Sequence, residues 1–403
     1  MIVLPNLYAM VLLSLISCTK DDEGNGQVVV DKLVIETNQE SIVNTSGLSL
    51  DQIQLPEGFK IDVFARVDNA RSLALSPEGI LFVGNRGGDK VYAVIDENGD
   101  MKADKRITLA SGLTMPNGVA LNDGDLYVAE VSKLWKYEDV ADNLTSTASR
   151  KLIYDDFPKD RHHGWKYIAF GPDGKLYVPV GAPCNICESN PNIPNSANVH
   201  YAAIMRMDPD GSNREVFVDG VRNTVGFTWH PVTGDMWFTD NGRDNIGTTQ
   251  AETDNSPPCE LNRATAKGQH FGYPYCHAGT ISDPDFGSGK SCGDYVTPAQ
   301  NLGPHVAPLG LKFGVATNFP PTYENKIFIA EHGSWNRSEK IGYRIMLVTE
   351  SGGQGQSYEP FATGWLNGSD AWGRPVDLVF AQDGSMLVSD DLSGTIYRIR
   401  YEG

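Results

Sequence analysis

Ile168-Ala-Phe-Gly-Pro-Asp-Gly-Lys-Leu-Tyr-Val178 is the stretch that decides the fold. Apolar residues run into a Gly-Pro-Asp-Gly turn and resume directly after it as Leu-Tyr-Val. Proline presets φ at the turn, and Asp and Gly accept the reversal, so the segment reads as a β-hairpin. Its strands are apolar on both faces and need cover on both sides, which sheets stacked around a common axis provide. The unit recurs at 73–83, 119–128, 227–238 and 378–388, with a divergent copy around 318–330. Gly79, Gly124, Gly174, Gly234 and Gly384 mark the turns of five copies, and Asn325 stands in the sixth. The gaps from 79 to 124, 174 and 234 are 45, 50 and 60 residues. Propeller blades repeat every roughly 40–50 residues, so the longer gaps carry inserted loops. The expectation is an all-β, six-bladed β-propeller, with the strand at 395–401 pairing near that at 59–65 to close the ring. An irregular Gly- and Pro-rich stretch at about 243–306 holds three cysteines and reads as an ordered lid or pocket wall.

Composition narrows what such a propeller binds. The 403 residues are 40% hydrophobic and 21% charged, with 42 glycines, 23 prolines and a formal charge of -18. So acidic a chain lacks the broad basic surface that nucleic acid requires. Any anionic ligand must therefore sit in a local cationic pocket. There is neither a P-loop nor a convincing dinucleotide fingerprint.

The N-terminus reads as a processing segment, residues 1–17, followed by a polar tether over 18–54 and the propeller over 55–403. The apolar run 7–17 is too short to span a bilayer and stops at Cys18. Leu15-Ile16-Ser17-Cys18 resembles a bacterial lipobox, with Cys18 as the lipidated residue, and Thr19-Lys20-Asp21-Asp22-Glu23 resembles a surface-export signal. The expected address is extracytoplasmic, on the outer membrane through that lipid alone; a plain secretory signal is the alternative. The remaining cysteines are Cys184, Cys187, Cys259, Cys276 and Cys292. An oxidising compartment then allows two disulfides and one thiol. Cys184-Asn185-Ile186-Cys187 reads as a loop staple, because Glu188 rules out c-type haem attachment and no second CxxC completes a zinc site.

Propellers bind ligands where loops from several blades converge on the axis, so the informative residues flank the repeat strands. His162 and His163 precede one such strand, Arg222 and Asn223 another, and Arg374 a third. The fifth blade ends in Glu331-His-Gly-Ser-Trp-Asn-Arg337. Singly, each has an ordinary structural explanation. Recurring together, inward guanidinium groups in an acidic chain call for an anion to offset their desolvation.

Six segments carry a specific resemblance. They are His163-Gly-Trp-Lys-Tyr-Ile-Ala-Phe-Gly-Pro-Asp-Gly174, Gly220-Val-Arg-Asn-Thr-Val-Gly226, Thr239-Asp-Asn-Gly-Arg-Asp244, Phe271-Gly-Tyr-Pro274, the 331–337 segment and Gly373-Arg-Pro-Val-Asp377. In this order they resemble the soluble quinoprotein glucose/sorbosone dehydrogenase family, closest to its sorbosone and pyranose dehydrogenase branch. The resemblance implies oxidation of a sugar with pyrroloquinoline quinone (PQQ) and calcium, and electrons passed to an external quinone or cytochrome. It assigns His163 as general base and Arg222, Asn223, Arg374 and, as counterpart of a family lysine, Arg337 to PQQ. Gly242 and Arg243 fall where backbone carbonyls hold calcium. Trp165, Trp335 or Trp372 would stack on quinone or sugar. Val225 and Val376 stand where glucose dehydrogenases carry Gln and Arg, and Pro116 replaces a glucose-contacting Gln. Two other readings stay open: a calcium-dependent lactonase-like propeller, and a non-catalytic propeller that binds carbohydrate or protein.

Overall fold

In the computed structural model, residues 26–188 and 200–403 are described. Cys18 and the processing segment lie outside them. Six antiparallel sheets of four or five strands each are the six blades of a β-propeller. The repeat hairpins supply the two inner strands of five blades; in blade five the divergent stretch at 318–330 supplies only the second, Ile327–Glu331, which pairs with Pro308–Phe313 upstream of it. In the third, Ala169–Phe170 pairs with Leu176–Val180, and Ala203–Met207 and Glu215–Asp219 complete the sheet. Gly174 takes φ +72° at the turn, a conformation that costs glycine nothing.

Apolar layers between neighbouring blades form the core, as two-faced hydrophobic strands require. Phe82, Val119, Val128 and Trp135 pack between blades one and two, and Phe328, Trp365, Leu378 and Tyr397 between five and six. Near the axis, polar side chains join blade two to three, four to five and six to one through backbone groups. Asn117 Nδ2 donates to the Lys166 carbonyl (2.7 Å), Thr239 Oγ1 to the Leu309 carbonyl (2.7 Å), and Asp377 accepts the Leu73 N–H (2.9 Å). The last strand, Thr395–Tyr401, pairs antiparallel with Phe59–Arg66, so both ends of the propeller share blade six.

Two expectations change. The supposed tether is structured from residue 26 onward. Val28–Lys32 adds to the outer edge of blade two and Val34–Glu36 to that of blade one. The reason is burial: Leu33 and Ile42 are inserted into the interblade layers, apolar anchors inside a polar stretch. The 243–306 stretch is likewise more than a lid. It contains the two outer strands of blade four, Pro258–Ala264 and Gln300–Pro304, and a strand, Gln269–His270, that pairs parallel with blade three. Between them the Cys276–Cys292 disulfide closes a loop, while Cys259 is buried and unpaired. Cys184 is bonded to Cys187.

Candidate active site

In an antiparallel hairpin the start of the first strand and the end of the second lie side by side, so residues flanking the repeat strands meet at one end of the ring. A cavity of about 270 Å³ opens there. Its lining comes from blades one, three, four, five and six: Arg71 and Arg86, then His163 and Trp165, then Arg222, Asn223, Asn241 and Gly242, then His332 and Trp335, then Arg374.

His163 sits in a tight turn with φ +51°, left-handed for a non-glycine residue. The turn closes through Gly164 N–H to the Arg161 carbonyl, and a Cβ at Gly164 would stand 1.9 Å from the Asp160 carbonyl oxygen. The ring is buried, with Nδ1 2.9 Å from the Ala182 carbonyl oxygen. A carbonyl only accepts, so Nδ1 carries the proton and Nε2 keeps its lone pair. Burial first, and then the positive charge of Arg222, push its pKa well below the ordinary value of 6.5. The imidazole is therefore neutral at pH 7, with Nε2 free to accept a proton. His162 is exposed and lines nothing, although the two rings are 4.0 Å apart.

Arg222 and Asn223 are held from behind by Asp240, whose carboxylate accepts their backbone N–H groups at 2.9 and 2.6 Å. Asn241 Nδ2 donates to the Asn223 carbonyl (2.9 Å). On the opposite wall Asp391 gathers three cavity residues. Arg71 Nη1 (3.0 Å), Arg374 Nε (3.0 Å) and His332 Nε2 (2.9 Å) all reach its carboxylate. Four guanidinium groups thus face two carboxylates, Asp244 and Asp391, and the cavity is cationic within a chain of charge -18. The crowding is visible in Arg86, whose pKa falls to about 10, chiefly through burial and then through Arg71. Two buried donors of the lining, Arg86 Nε and Trp165 Nε1, have no hydrogen-bond partner. Such orphans are rare in native interiors and mark a place for a polar ligand. The Arg86 guanidinium lies 3.8 Å over the Trp165 ring, a flat cationic and aromatic surface suited to a planar anion.

Behind two of the lining residues, Leu309 and Trp165, lies a small apolar cluster. Val225, Leu309 and Val376 pack together against Trp165. Both valines at positions of sequence departure therefore belong to one cluster. Among the other expected residues, Gly242 lines the cavity, while the Arg243 side chain turns away to Asp283 and Asp285. No hydrogen bond of the described residues ends on either the Gly242 or the Arg243 carbonyl.

Arg337 is a correction. It does not line the cavity; its guanidinium donates to the Glu339 carbonyl (3.0 Å) and to that of Asp254, on the far side of the 331–337 turn. The short helix Gln250–Asn255, fixed by a Thr249/Glu252 capping box, presents that acceptor. Trp372 also lies elsewhere, bonded to the Gly364 carbonyl, whereas Trp335 stands at the rim, 77% exposed. The sequence reading missed Arg71, Arg86 and Asp391. Arg71 opens the inner strand of blade one and Arg86 follows its second strand, the positions used elsewhere to find His163 and Arg374.

The family model described as TrAA12-like matches residues 53–402. An uncharacterized protein of Borreliella burgdorferi is 32% identical over 366 residues, covering 87% of this chain and 91% of that protein. A pyrroloquinoline quinone-dependent pyranose dehydrogenase of Coprinopsis cinerea is 25% identical over 87% of this chain, which spans only 54% of that enzyme. In structure, the Trichoderma reesei carbohydrate-active enzyme of family AA12 superposes with a TM-score of 0.73 at 21% identity, covering 87% of this chain and 97% of the other. The holo PQQ domain of the Coprinopsis cinerea pyranose dehydrogenase superposes with a TM-score of 0.68 at 22% identity, covering 86% and 97%.

Proposed function

The chain belongs to the TrAA12-like family, and on that premise we propose that it oxidises a sugar with PQQ and calcium. The observation that carries the reading is one cavity that combines a buried neutral histidine with four arginines and two unpartnered donors. Arg71, Arg86, Arg222 and Arg374 would hold the carboxylates and quinone oxygens of PQQ, with Asn223 beside them and Arg337 taking no part. Leu309 and Trp165, backed by Val225 and Val376, would give a flat ring an apolar seat. Gly242 and Arg243 would offer their carbonyls to calcium. When bound, the quinone supplies an acceptor for the hydrogen on the carbon being oxidised.

The chain's own residues do the rest. Nε2 of His163 takes the proton of the substrate hydroxyl, and the Nδ1–H bond to Ala182 keeps the ring in the tautomer that allows it. The arginines stabilise negative charge as it develops. Trp335 gives a pyranose a rim surface to stack on. Asp244 is the single carboxylate among the described lining residues, too few for the carboxylate-lined metal centre that a lactonase of this shape needs. Electrons leave to a separate quinone or cytochrome. Export and lipid attachment at Cys18 complete the reading, supported by the 7–18 segment and tested by palmitate labelling of Cys18 against Cys18→Ala.

The test is reconstitution. Metal-free apoprotein is titrated with PQQ and calcium, and dye reduction is followed across aldoses, pyranoses and sorbosone. Uptake of PQQ with calcium-dependent turnover of at least one sugar is expected. Failure to take up PQQ overturns the cofactor; uptake without turnover on any sugar leaves a binding protein.

A further inference from the structure

We infer that the disulfide-closed loop Cys184–Cys187 aims Arg222 into the cavity, with Asn185 as the positioning residue. Arg222 is buried, and three of the four hydrogen bonds of its guanidinium go to neutral oxygens. Nε donates to the Asn185 carbonyl (2.9 Å), Nη2 to Asn185 Oδ1 (2.9 Å) and Nη1 to the Asn241 carbonyl (3.1 Å). The fourth, Nη2 to Asp244 Oδ2 at 3.4 Å, is its longest and its ion pair. Backbone and side-chain oxygens of one residue thus grip one edge of the guanidinium, fixing its plane without adding a second carboxylate to that of Asp244. The same carboxamide also holds Asp244: Oδ1 accepts its N–H (2.8 Å) and Nδ2 donates to its carbonyl (2.9 Å). One asparagine therefore sets both an arginine and the carboxylate of the cavity wall.

A loop asparagine gives up conformational entropy to act this way, and the loop is restrained to suit. The Cys184–Cys187 bond closes it. The Cys187 N–H donates to Tyr273 Oη (3.0 Å), and Ile186 packs against Ala182, Ala202 and Tyr273. The base is tied to the same strand end but not to Asn185: Ala182 receives the His163 Nδ1–H and donates its own N–H to the Arg222 carbonyl. Asn185 therefore acts on the cavity through Arg222, while the hydrogen bond that fixes the His163 tautomer is made by Ala182.

This inference rests on reading the cavity as a PQQ site, so it is tested first without PQQ. In full-length apoprotein, phenylglyoxal labelling of Arg222 is quantified by mass spectrometry against Arg206, an arginine outside the cavity. Labelling of Arg222 rises several-fold in Asn185→Ala and to a smaller extent in the Cys184→Ser, Cys187→Ser double variant, while Arg206 is unchanged. PQQ titration of the folded proteins then shows affinity falling about tenfold in Asn185→Ala, as expected for one charge-assisted hydrogen bond lost. Asn185→Asp separates orientation from charge: Arg222 stays protected, but PQQ binds weakly because a second carboxylate, added to Asp244, offsets the guanidinium. Native labelling in Asn185→Ala, or native PQQ affinity in both Asn185 variants, overturns the inference. A double variant like the native chain removes the disulfide from the device. Altered labelling in a protein whose native form takes up no PQQ upholds the clamp and overturns the cofactor reading instead.

Discussion

His163 joins an unusual backbone to an unusual environment. Its φ of +51° is held because neighbouring glycines leave room: a Cβ on Gly181 would lie 2.6 Å from His163 Cβ. His163→Ala should lower kcat by about 10²–10⁴-fold while PQQ affinity stays within a factor of two, measured by steady-state kinetics and titration. Because burial and then Arg222 depress its pKa, the neutral base persists from pH 8 down to 6.5. The acid limb of kcat/KM should therefore lie below pH 6.5, not at it. The same shift makes the unfolded chain bind a proton that the folded one refuses. His163 thus lowers stability as pH falls below 6.5. Arginines divide just as sharply. Arg71→Ala should weaken PQQ binding at least tenfold, about the worth of a charged hydrogen bond. Arg337→Ala should leave it unchanged, since that side chain bonds only to outer carbonyls. Equal effects on titration would return Arg337 to the site.

At the scale of elements, the inner hairpins deliver side chains to the axis and polar hubs lock them across blades. Asp391 follows the strand Met386–Asp390 of blade six and binds Arg71 of blade one and His332 of blade five. Burial alone would raise its pKa, but His332, Arg71 and Arg374 together hold it far below the ordinary carboxylate range. A depressed carboxylate stabilises the fold above its unfolded pKa of about 3.9. That stabilisation is lost as pH falls through the lower folded value. Asp391→Asn leaves Arg71 buried beside no charge, at a cost of about 3–5 kcal/mol. Thermal unfolding at pH 7 should show the loss, and the difference from the native chain should shrink in acid. Asp240 plays the corresponding part for Arg222 and Asn223, through their backbone N–H groups rather than their side chains.

The whole molecule is a ring closed by pairing Phe59–Arg66 with Thr395–Tyr401, with the 26–43 segment laid over the outer edges of blades one and two. That segment buries Leu33 and Ile42, each worth about 1.5–3 kcal/mol. Deleting 26–43 should lower the unfolding midpoint by several degrees without changing the PQQ titration, because none of its residues reaches the cavity. A midpoint equal to that of the native chain would return the segment to the status of a tether.

The sequence by itself determined the propeller, because turn chemistry and two-sided hydrophobic strands are local properties repeated six times. It also located His163, Arg222, Asn223 and Arg374, since strand-entry positions in different blades must share one end of the ring. It could not separate Arg337 from Arg71 and Arg86. Membership in the site depends on which way a side chain leaves its turn, and that is fixed by partners far along the chain: Asp254 for Arg337, Asp391 for Arg71. Nor could it show that Val225 and Val376 meet in one apolar cluster behind Leu309, that Leu33 is buried in a polar stretch, or that Asn185 grips Arg222. Each of these is a contact between segments whose approach only the closed ring decides.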